Sequence, residues 1–253
     1  ASHGHTVFHQ PKKGFTTQIG SGALLAAKTG ITTVCDFRSL DVGLGGQGAP
    51  LVPIGDELLF GNYEACLNLG GIANISFGKG GKRLAYDICL ANIVLNHLAA
   101  GLNKPYDKNG ALAAGGHVDA ILLKQLNALD YYKRKGAKSI GREWFDTSVR
   151  KLFDGSEISH QHKLATATAH ISAIIAGELN RHRVNNVLVT GGGAFNAFLI
   201  ESIRQQTRCK IVVPQKEVVN FKEALIFAFL GYLRCNNITN TLASVTGAKT
   251  NSI

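Results

Sequence analysis

The sequence predicts an α/β protein in which a sheet with parallel strands is covered by helices, and three observations predict it. Two short apolar runs, residues 186–190 (NVLVT) and 210–214 (KIVVP), have the length and β-branched content of buried strands. On both sides of them apolar residues recur at three- and four-residue spacing, the mark of helices that bury one face. The order helix, strand, glycine-rich turn, helix, strand, helix is the one that builds a parallel sheet.

Glycine and proline punctuation separates two textures. Residues 1–85 read as a strand- and loop-rich part, with strands expected at 6–9, 16–19, 31–35, 65–69 and 72–77 between glycine-rich loops. Residues 86–253 read as a mainly helical part, with helices expected at 92–100, 118–129, 164–180, 196–206 and 221–234. No internal repeat and no low-complexity linker interrupts either part.

A chain of 253 residues, 45% hydrophobic and 17% charged, can bury a real core and lacks the composition of a disordered segment. No apolar run approaches the roughly 18 residues of a membrane span, and Ala1-Ser2-His3-Gly4-His5 has no signal-peptide pattern. A cytoplasmic protein with no membrane partner is the expectation. The five cysteines are odd in number and widely spaced, with no CxxC pair, so buried reduced thiols and no metal centre are expected. The net charge of +10 favours anionic partners in general. The basic residues are dispersed, and the tightest cluster, Tyr131-Tyr132-Lys133-Arg134-Lys135, reads as a solvated helix end, so nucleic acid is not expected. The chain has no Met and opens in what reads as the middle of a strand-and-loop passage, which suggests a fragment.

Four constellations carry candidate chemistry. In Cys66-Leu67-Asn68-Leu69-Gly70-Gly71-Ile72-Ala73-Asn74 an apolar strand turns on two glycines into a second strand. Such a turn lets backbone amides approach an anion, with Asn68 and Asn74 beside it, or it is an ordinary hairpin. In Val189-Thr190-Gly191-Gly192-Gly193-Ala194-Phe195-Asn196 a buried strand ends in three glycines before a helix. Glycines there leave room for a flat base or ribose against the backbone, at the sheet edge where α/β proteins bind ligands. The run is neither a GxGxxG fingerprint nor a Walker loop. Asp87, at the end of an apolar strand before Asn92, is placed to accept a proton or hold magnesium, and a helix cap accounts for it equally well. Finally, Asp36-Phe37-Arg38-Ser39-Leu40-Asp41 leads into Gly45-Gly46-Gln47-Gly48, a loop suited to sugar hydroxyls and a carboxylate, with an internal Asp–Arg salt bridge as the alternative.

Taken together with Ser2-His3-Gly4-His5-Thr6, Ala49-Pro50-Leu51-Val52-Pro53, Glu223-Ala224 and Val245-Thr246-Gly247-Ala248, these motifs resemble the anhydro-N-acetylmuramic acid kinase family, in order and over essentially the whole chain. The resemblance implies an actin-like ATPase fold with ribonuclease-H-like lobes around a nucleotide cleft. It also implies a reaction in which ATP, magnesium and water convert 1,6-anhydro-N-acetylmuramic acid to N-acetylmuramic acid 6-phosphate in peptidoglycan recycling. By this likeness Asp87 is the general base. Asn68, Gly70, Gly71 and Asn74 form a phosphate loop, Gly191, Gly192, Gly193 and Asn196 an adenosine loop, and Glu223 borders the nucleotide. His3, Asp36, Arg38, Gln47 and Asn92 fall where sugar contacts are expected, and a homodimer is implied.

The sequence departs from the family pattern in places. Ile88-Cys89-Leu90-Ala91 stand where Gly-Pro-Gly commonly precedes the Asn, His5 where Gln is common, and Leu40 where Arg is common. The N-terminal glycine-rich phosphate hairpin of this superfamily is not in the sequence, so little turnover is expected of these 253 residues by themselves. The reading from another class is a non-catalytic actin-like nucleotide-binding or chaperone-type protein.

Overall fold

The structure, a computed structural model, describes residues 1–134, 136 and 138–253. A hairpin, β1 (His5–Gln10) and β2 (Phe15–Ile19), precedes helices α1 (Gly22–Thr29), α2 (Ser39–Gly43) and α3 (Pro53–Leu59). Strands β3 (Ala65–Leu69), β4 (Ile72–Lys79) and β5 (Lys82–Leu90) follow. Next come α4 (Asn92–Ala100), α5 (Ala111–Ala114), α6 (Ala120–Asn127), α7 (Asp130–Lys133), α8 (Arg142–Trp144), α9 (Arg150–Asp154) and the long α10 (His160–Arg181). The chain then forms β6 (Asn186–Thr190), α11 (Ala197–Arg204), β7 (Lys210–Val212), α12 (Lys216–Cys235) and α13 (Ala243–Thr246).

β1 and β2 pair antiparallel, and the remaining strands form a five-stranded sheet in the order β5-β4-β3-β6-β7. As expected, β6 runs parallel to both β3 and β7. Gly70-Gly71 and Gly80-Gly81 join β3 to β4 and β4 to β5, two-residue turns that only antiparallel neighbours allow. Gly80 and Gly81 both have positive φ, 58° and 74°, as a hairpin turn of this length demands. β3, β5, β6 and β7 therefore share one carboxyl edge, and only β4 runs against them.

The chain divides into two compact units, one built from Ala1–Asn62, Ser76–Ala85 and Phe221–Ile253, the other from Tyr63–Ile75 and Tyr86–Asn220. In the second unit the sheet centre is apolar on both faces, with Leu67, Leu69, Val187 and Val189 fully buried on one and Cys66 and Leu188 buried on the other. Leu164, Ile171, Ile175 and Leu179 make one face of α10, buried to 1% exposure or less, and each such side chain stabilises the fold by about 1.5–3 kcal/mol. Ser159 caps α10 and Asp119 caps α6, their side chains accepting from the amides of His162 and Leu122.

The first unit centres on Phe37, Leu51, Ile54, Ile226, Leu230 and Leu233. Gly55 has no room for a Cβ, which would meet Ile226 at 2.6 Å, so α3 and α12 cross closely. Beside them Lys222 Nζ lies 2.6 Å from Asp56 in a buried ion pair. Ser76 Oγ donates to the same carboxyl group and accepts from Arg83 Nη2 at 2.9 Å.

Several expectations are corrected. The region expected to hold only strands and loops contains α1, α2 and α3. Ser21 caps α1 by accepting from Leu24 N, and Gly30 closes it at φ 69°. Residues 31–35 form no strand, because only Cys35 bridges, to Ser2, and Ile31 is exposed. Cys66, Cys89 and Cys209 are buried free thiols as expected, but Cys35 and Cys235 are exposed. In the basic cluster Tyr131 is buried against Trp144, ring centroids 5.3 Å apart, so only Lys133 and Arg134 are solvated, and Lys135 lies outside the described residues.

Candidate active site

In the second unit three turns meet at the carboxyl edge of the sheet. Gly70 O accepts from Asn92 N at 3.2 Å, and Gly71 O accepts from Ala91 N at 2.9 Å and Ile93 N at 3.2 Å. Asn92 Nδ2 donates to Leu69 O at 3.1 Å, so the start of α4 is stitched to the β3–β4 turn by main chain and side chain. The third turn, Gly191–Gly193, comes in from β6. A Cβ on Gly191 would lie 2.8 Å from the carbonyl carbon of Leu69, and one on Gly193 would lie 2.8 Å from Leu69 Cβ. Gly191 also has φ 81°, which disfavours any side chain. These two glycines thus serve the close approach of two turns.

Gly192 differs. A Cβ there would meet nothing nearer than Asn92 Nδ2 at 3.8 Å, so its backbone faces open space. Asn196 caps α11, its Oδ1 accepting from Leu199 N at 3.0 Å, and is buried. Asn68 is half-buried beside Gly70 and Gly191, and the side chain of half-buried Asn74 makes no hydrogen bond among the described residues.

Asp87 lies inside β5, three residues before its end, and not at a helix start; α4 is preceded by Ala91, which makes no side-chain cap. The cap account of Asp87 is therefore excluded. β5 runs on through Ile88, Cys89 and Leu90, all at 1% exposure or less, where the family pattern has glycines and proline. β5 is an edge strand, and a strap from residues 138–140 lies along it. Asp87 N donates to Lys138 O at 3.0 Å, and Ile140 N donates to Asp87 Oδ2 at 3.0 Å. Tyr131 OH donates to Asp87 O at 2.8 Å. Burial pushes the Asp87 carboxyl above the ordinary range, and the bond from Ile140 N opposes this. The three groups that hold Asp87 were missed in the sequence, and at separations of 44 to 53 residues no local pattern marks them.

In the first unit the polar loop takes shape around Arg38. Its Nε donates to His3 Nε2 at 2.8 Å, and its Nη1 donates to Gly48 O at 2.5 Å. Neither Asp36 nor Asp41 pairs with it among the described residues. Asp36 instead accepts from Ser39 N at 3.3 Å from a left-handed backbone, φ 55°. Asp41 is not on a strand but buried in α2. Burial lowers the pKa of Arg38, opposed by the Glu223 carboxylate, which places Glu223 by the polar loop of this unit. His3 packs on Phe227, ring centroids 4.7 Å apart. Gln47 is exposed, and its amide donates to Thr246 O at 2.9 Å. His9, which sequence reasoning passed over, bonds Thr16 Oγ1 at 3.0 Å and the backbone of Gln47, and burial and Arg38 both lower its pKa. The structure thus brings His3, Arg38, Gln47 and Glu223 together in one unit, while Asp87, Asn92 and the glycine turns belong to the other.

Open turns at the carboxyl edge of an α/β sheet are where such proteins bind ligands, and sequence likeness gives the class, a phosphotransferase. The family model "Anhydro-N-acetylmuramic acid kinase" matches residues 1–253. Curated relatives bearing that name include one from Gloeobacter violaceus, 37% identical over 98% of this chain and 70% of its own length. Another, from Aliivibrio fischeri, is 38% identical over 98% of this chain and 71% of its own. The chain belongs to the anhydro-N-acetylmuramic acid kinase family. It is an ATP-dependent kinase that converts 1,6-anhydro-N-acetylmuramic acid to N-acetylmuramic acid 6-phosphate with opening of the anhydro ring. Among solved structures, the activator of the 2-hydroxyisocaproyl-CoA dehydratase from Clostridium difficile with bound ADPNP aligns loosely, at 14% identity and TM-score 0.44 over 74% of this chain and 67% of that one. The Acidaminococcus fermentans (R)-2-hydroxyglutaryl-CoA dehydratase component A aligns at 17% identity and TM-score 0.42, over 69% and 63%. No helix among the described residues is long and apolar enough to cross a membrane.

Proposed function

We propose that Asp87 is the general base of this kinase, that the two turns around Gly70-Gly71 and Gly192 receive ATP, and that the loop around Arg38 and Gln47 receives the sugar. The observation that carries the reading is the environment of Asp87. It is spared from helix capping, held by a single backbone amide on its carboxyl group, and raised in pKa by burial. A carboxylate so placed takes a proton from water as the water oxygen bonds the anomeric carbon. The bond from that carbon to the anhydro oxygen breaks, and this oxygen takes the γ-phosphoryl group while ADP leaves. Asp87 ends the step protonated.

For ATP, the open backbone at Gly192 and the unpaired side chain of Asn74 fit a base or phosphate group. Gly191, Gly193 and Asn196 support the same surface from behind, as packing and cap residues. Asn92, tied to Leu69 O, fixes the start of α4 and retains its Oδ1 for the substrate. Arg38, whose hydrogen bonds go to His3 Nε2 and Gly48 O and to no carboxylate among the described residues, supplies positive charge for the sugar's lactyl carboxylate. Glu223 stands beside it, Asp36 has a carboxylate oxygen to offer a hydroxyl, and His3, its ring nitrogens engaged by Gly4 O and Arg38 Nε, meets the sugar by exchanging one of these bonds. Among the described residues no three His, Cys, Asp or Glu side chains gather as a metal cage. Magnesium would be carried chiefly by the nucleotide phosphates and water, and would offset the phosphate charge there. The family resemblance supports a cytoplasmic homodimer, which light scattering on the purified protein tests.

The direct test of the whole reading is ADP release, with ATP, magnesium and 1,6-anhydro-N-acetylmuramic acid, from protein purified with the family's N-terminal phosphate hairpin restored, since little turnover is expected of these 253 residues by themselves. Release that needs the sugar and is lost in Asp87→Asn is expected. Unchanged release in that variant removes Asp87 from the chemistry.

A further inference from the structure

The Gly45–Gly48 loop carries Gln47 and receives Arg38, yet its shape is set by two residues outside the sugar-binding set, Asp41 and Thr246. Asp41, 1% exposed, accepts from Gly48 N at 2.7 Å through Oδ2 and from Thr246 Oγ1 at 2.6 Å through Oδ1. Its backbone carbonyl accepts from Gly46 N at 2.8 Å. Thr246, also 1% exposed, closes the ring from the other side, because its own carbonyl accepts from Gln47 N at 2.9 Å. A Cβ on Gly46 would sit 2.2 Å from Asp41 Oδ2 and 2.9 Å from Ala248 Cβ, so the loop is drawn tightly onto both partners. Every amide from Gly46 to Gly48 is thereby spoken for by Asp41 or Thr246. The Gln47 side chain and the Gly48 carbonyl that meets Arg38 are fixed as a result.

We infer that Thr246 is a positioning residue for sugar recognition: its hydroxyl fixes the Asp41 carboxyl group, and its carbonyl and Asp41 together fix the backbone of Gly46–Gly48. This rests on the reading that the loop binds the sugar. Neither residue touches substrate in this scheme, and both act through Gln47, Gly48 and Arg38. Loss of the hydroxyl lets the Asp41 carboxyl group turn, and the loop then samples several shapes before the sugar selects one. The cost falls on sugar affinity, because a site populated for only a fraction of the time binds more weakly by that fraction. ATP affinity is untouched.

The test compares Thr246→Val, which keeps the shape, with Thr246→Ser, which keeps the hydroxyl, in the purified protein. Sugar affinity is measured by titration calorimetry, ATP affinity in parallel, and thermal melts report folding. Thr246→Val is expected to weaken the sugar about tenfold, the size of one lost bond to a charged group, with ATP affinity unchanged and Thr246→Ser close to the unsubstituted protein. Asp41→Asn, measured the same way, is the second route to this result should the valine variant fail to fold. Gln47→Ala separates the two ideas. If Gln47→Ala weakens the sugar while Thr246→Val does not, or if the serine variant is as weak as the valine, the positioning role is overturned and the sugar loop stands. If Gln47→Ala leaves sugar affinity unchanged, the sugar reading of the loop falls, and the role of Thr246 falls with it.

Discussion

At the scale of single residues Asp87 has two opposed demands on it. The proposed role as base needs it ionised, and the partly dry place where it sits disfavours the charge, so its folded pKa lies above the unfolded one. A carboxyl group raised in this way contributes stability below its unfolded pKa, and that contribution is lost as pH rises through the folded value. At neutral pH the charge is therefore a liability to the fold. Asp87→Asn, which removes it and leaves an oxygen for Ile140 N, is expected to stop sugar-dependent ADP release by 10²-fold or more. The same variant is expected to raise Tm by about 2–4 °C, the shift that about 1 kcal/mol makes in a chain of this size. The acid limb of kcat/KM against pH should fall above the ~3.9 of a free aspartate. An unchanged or lower Tm in the variant would count against the burial argument. The glycines make a second residue-scale case. Gly193→Ala must push Leu69 aside and is expected to cost about 1–3 kcal/mol in urea unfolding, whereas Gly192→Ala should unfold like the parent and bind nucleotide more weakly. Unaltered nucleotide titration in Gly192→Ala would move the adenosine surface elsewhere.

Among the elements, β5 is tied to α10 through Tyr86, the residue before Asp87. Tyr86 OH donates to Glu178 Oε2 at 2.7 Å and accepts from Arg181 Nη2 at 3.0 Å, which ties the strand to the end of α10. Tyr86→Phe leaves Glu178 and Arg181 in place and is expected to lower unfolding stability by about 1–3 kcal/mol, read by urea titration; a smaller loss would make the tie incidental. The sequence showed β3, β6 and the longer helices α4, α6, α10, α11 and α12 because their apolar residues recur at periods that only burial on one sheet or helix face explains, while the one-turn helices α5, α7, α8, α9 and α13 are too short to show a period. It hid α1, although Ser21 and Gly30 bracket Gly22-Ala-Leu-Leu-Ala-Ala-Lys-Thr29 with a cap at each end. Leu24 and Leu25 are exposed there, so no apolar stripe announced the helix. It suggested a strand at 31–35 from β-branched content alone, and a strand needs a partner that this segment lacks beyond one bridge. The two glycine turns proposed for ATP stood out as runs in the sequence, but which glycine is open and which is wedged depends on Leu69, more than a hundred residues from Gly191 in the chain. Asp41 was noticed for its charge, and its burial in α2 could not be read from DFRSLD.

For the molecule as a whole, the net charge of +10 is spread and not gathered into a stripe. Binding to duplex DNA is expected to be weak and to vanish between about 50 and 200 mM salt, as for unspecific phosphate contact. Retention on a DNA column above that range would contradict the small-molecule assignment. The two units also differ in how the chain supplies them: the sheet unit is drawn from one nearly continuous stretch, and the other needs residues from both ends of the sequence. Thr246 follows Asp41 by 205 residues. On a translating ribosome, at ~5–20 residues per second, that gap is roughly 10–40 s during which the nascent loop exists without its clasp. The turns proposed for ATP have all been synthesised by then, so on the proposed assignment a chain cut short by a premature stop codon near residue 240 is expected to hold ATP and to miss the sugar.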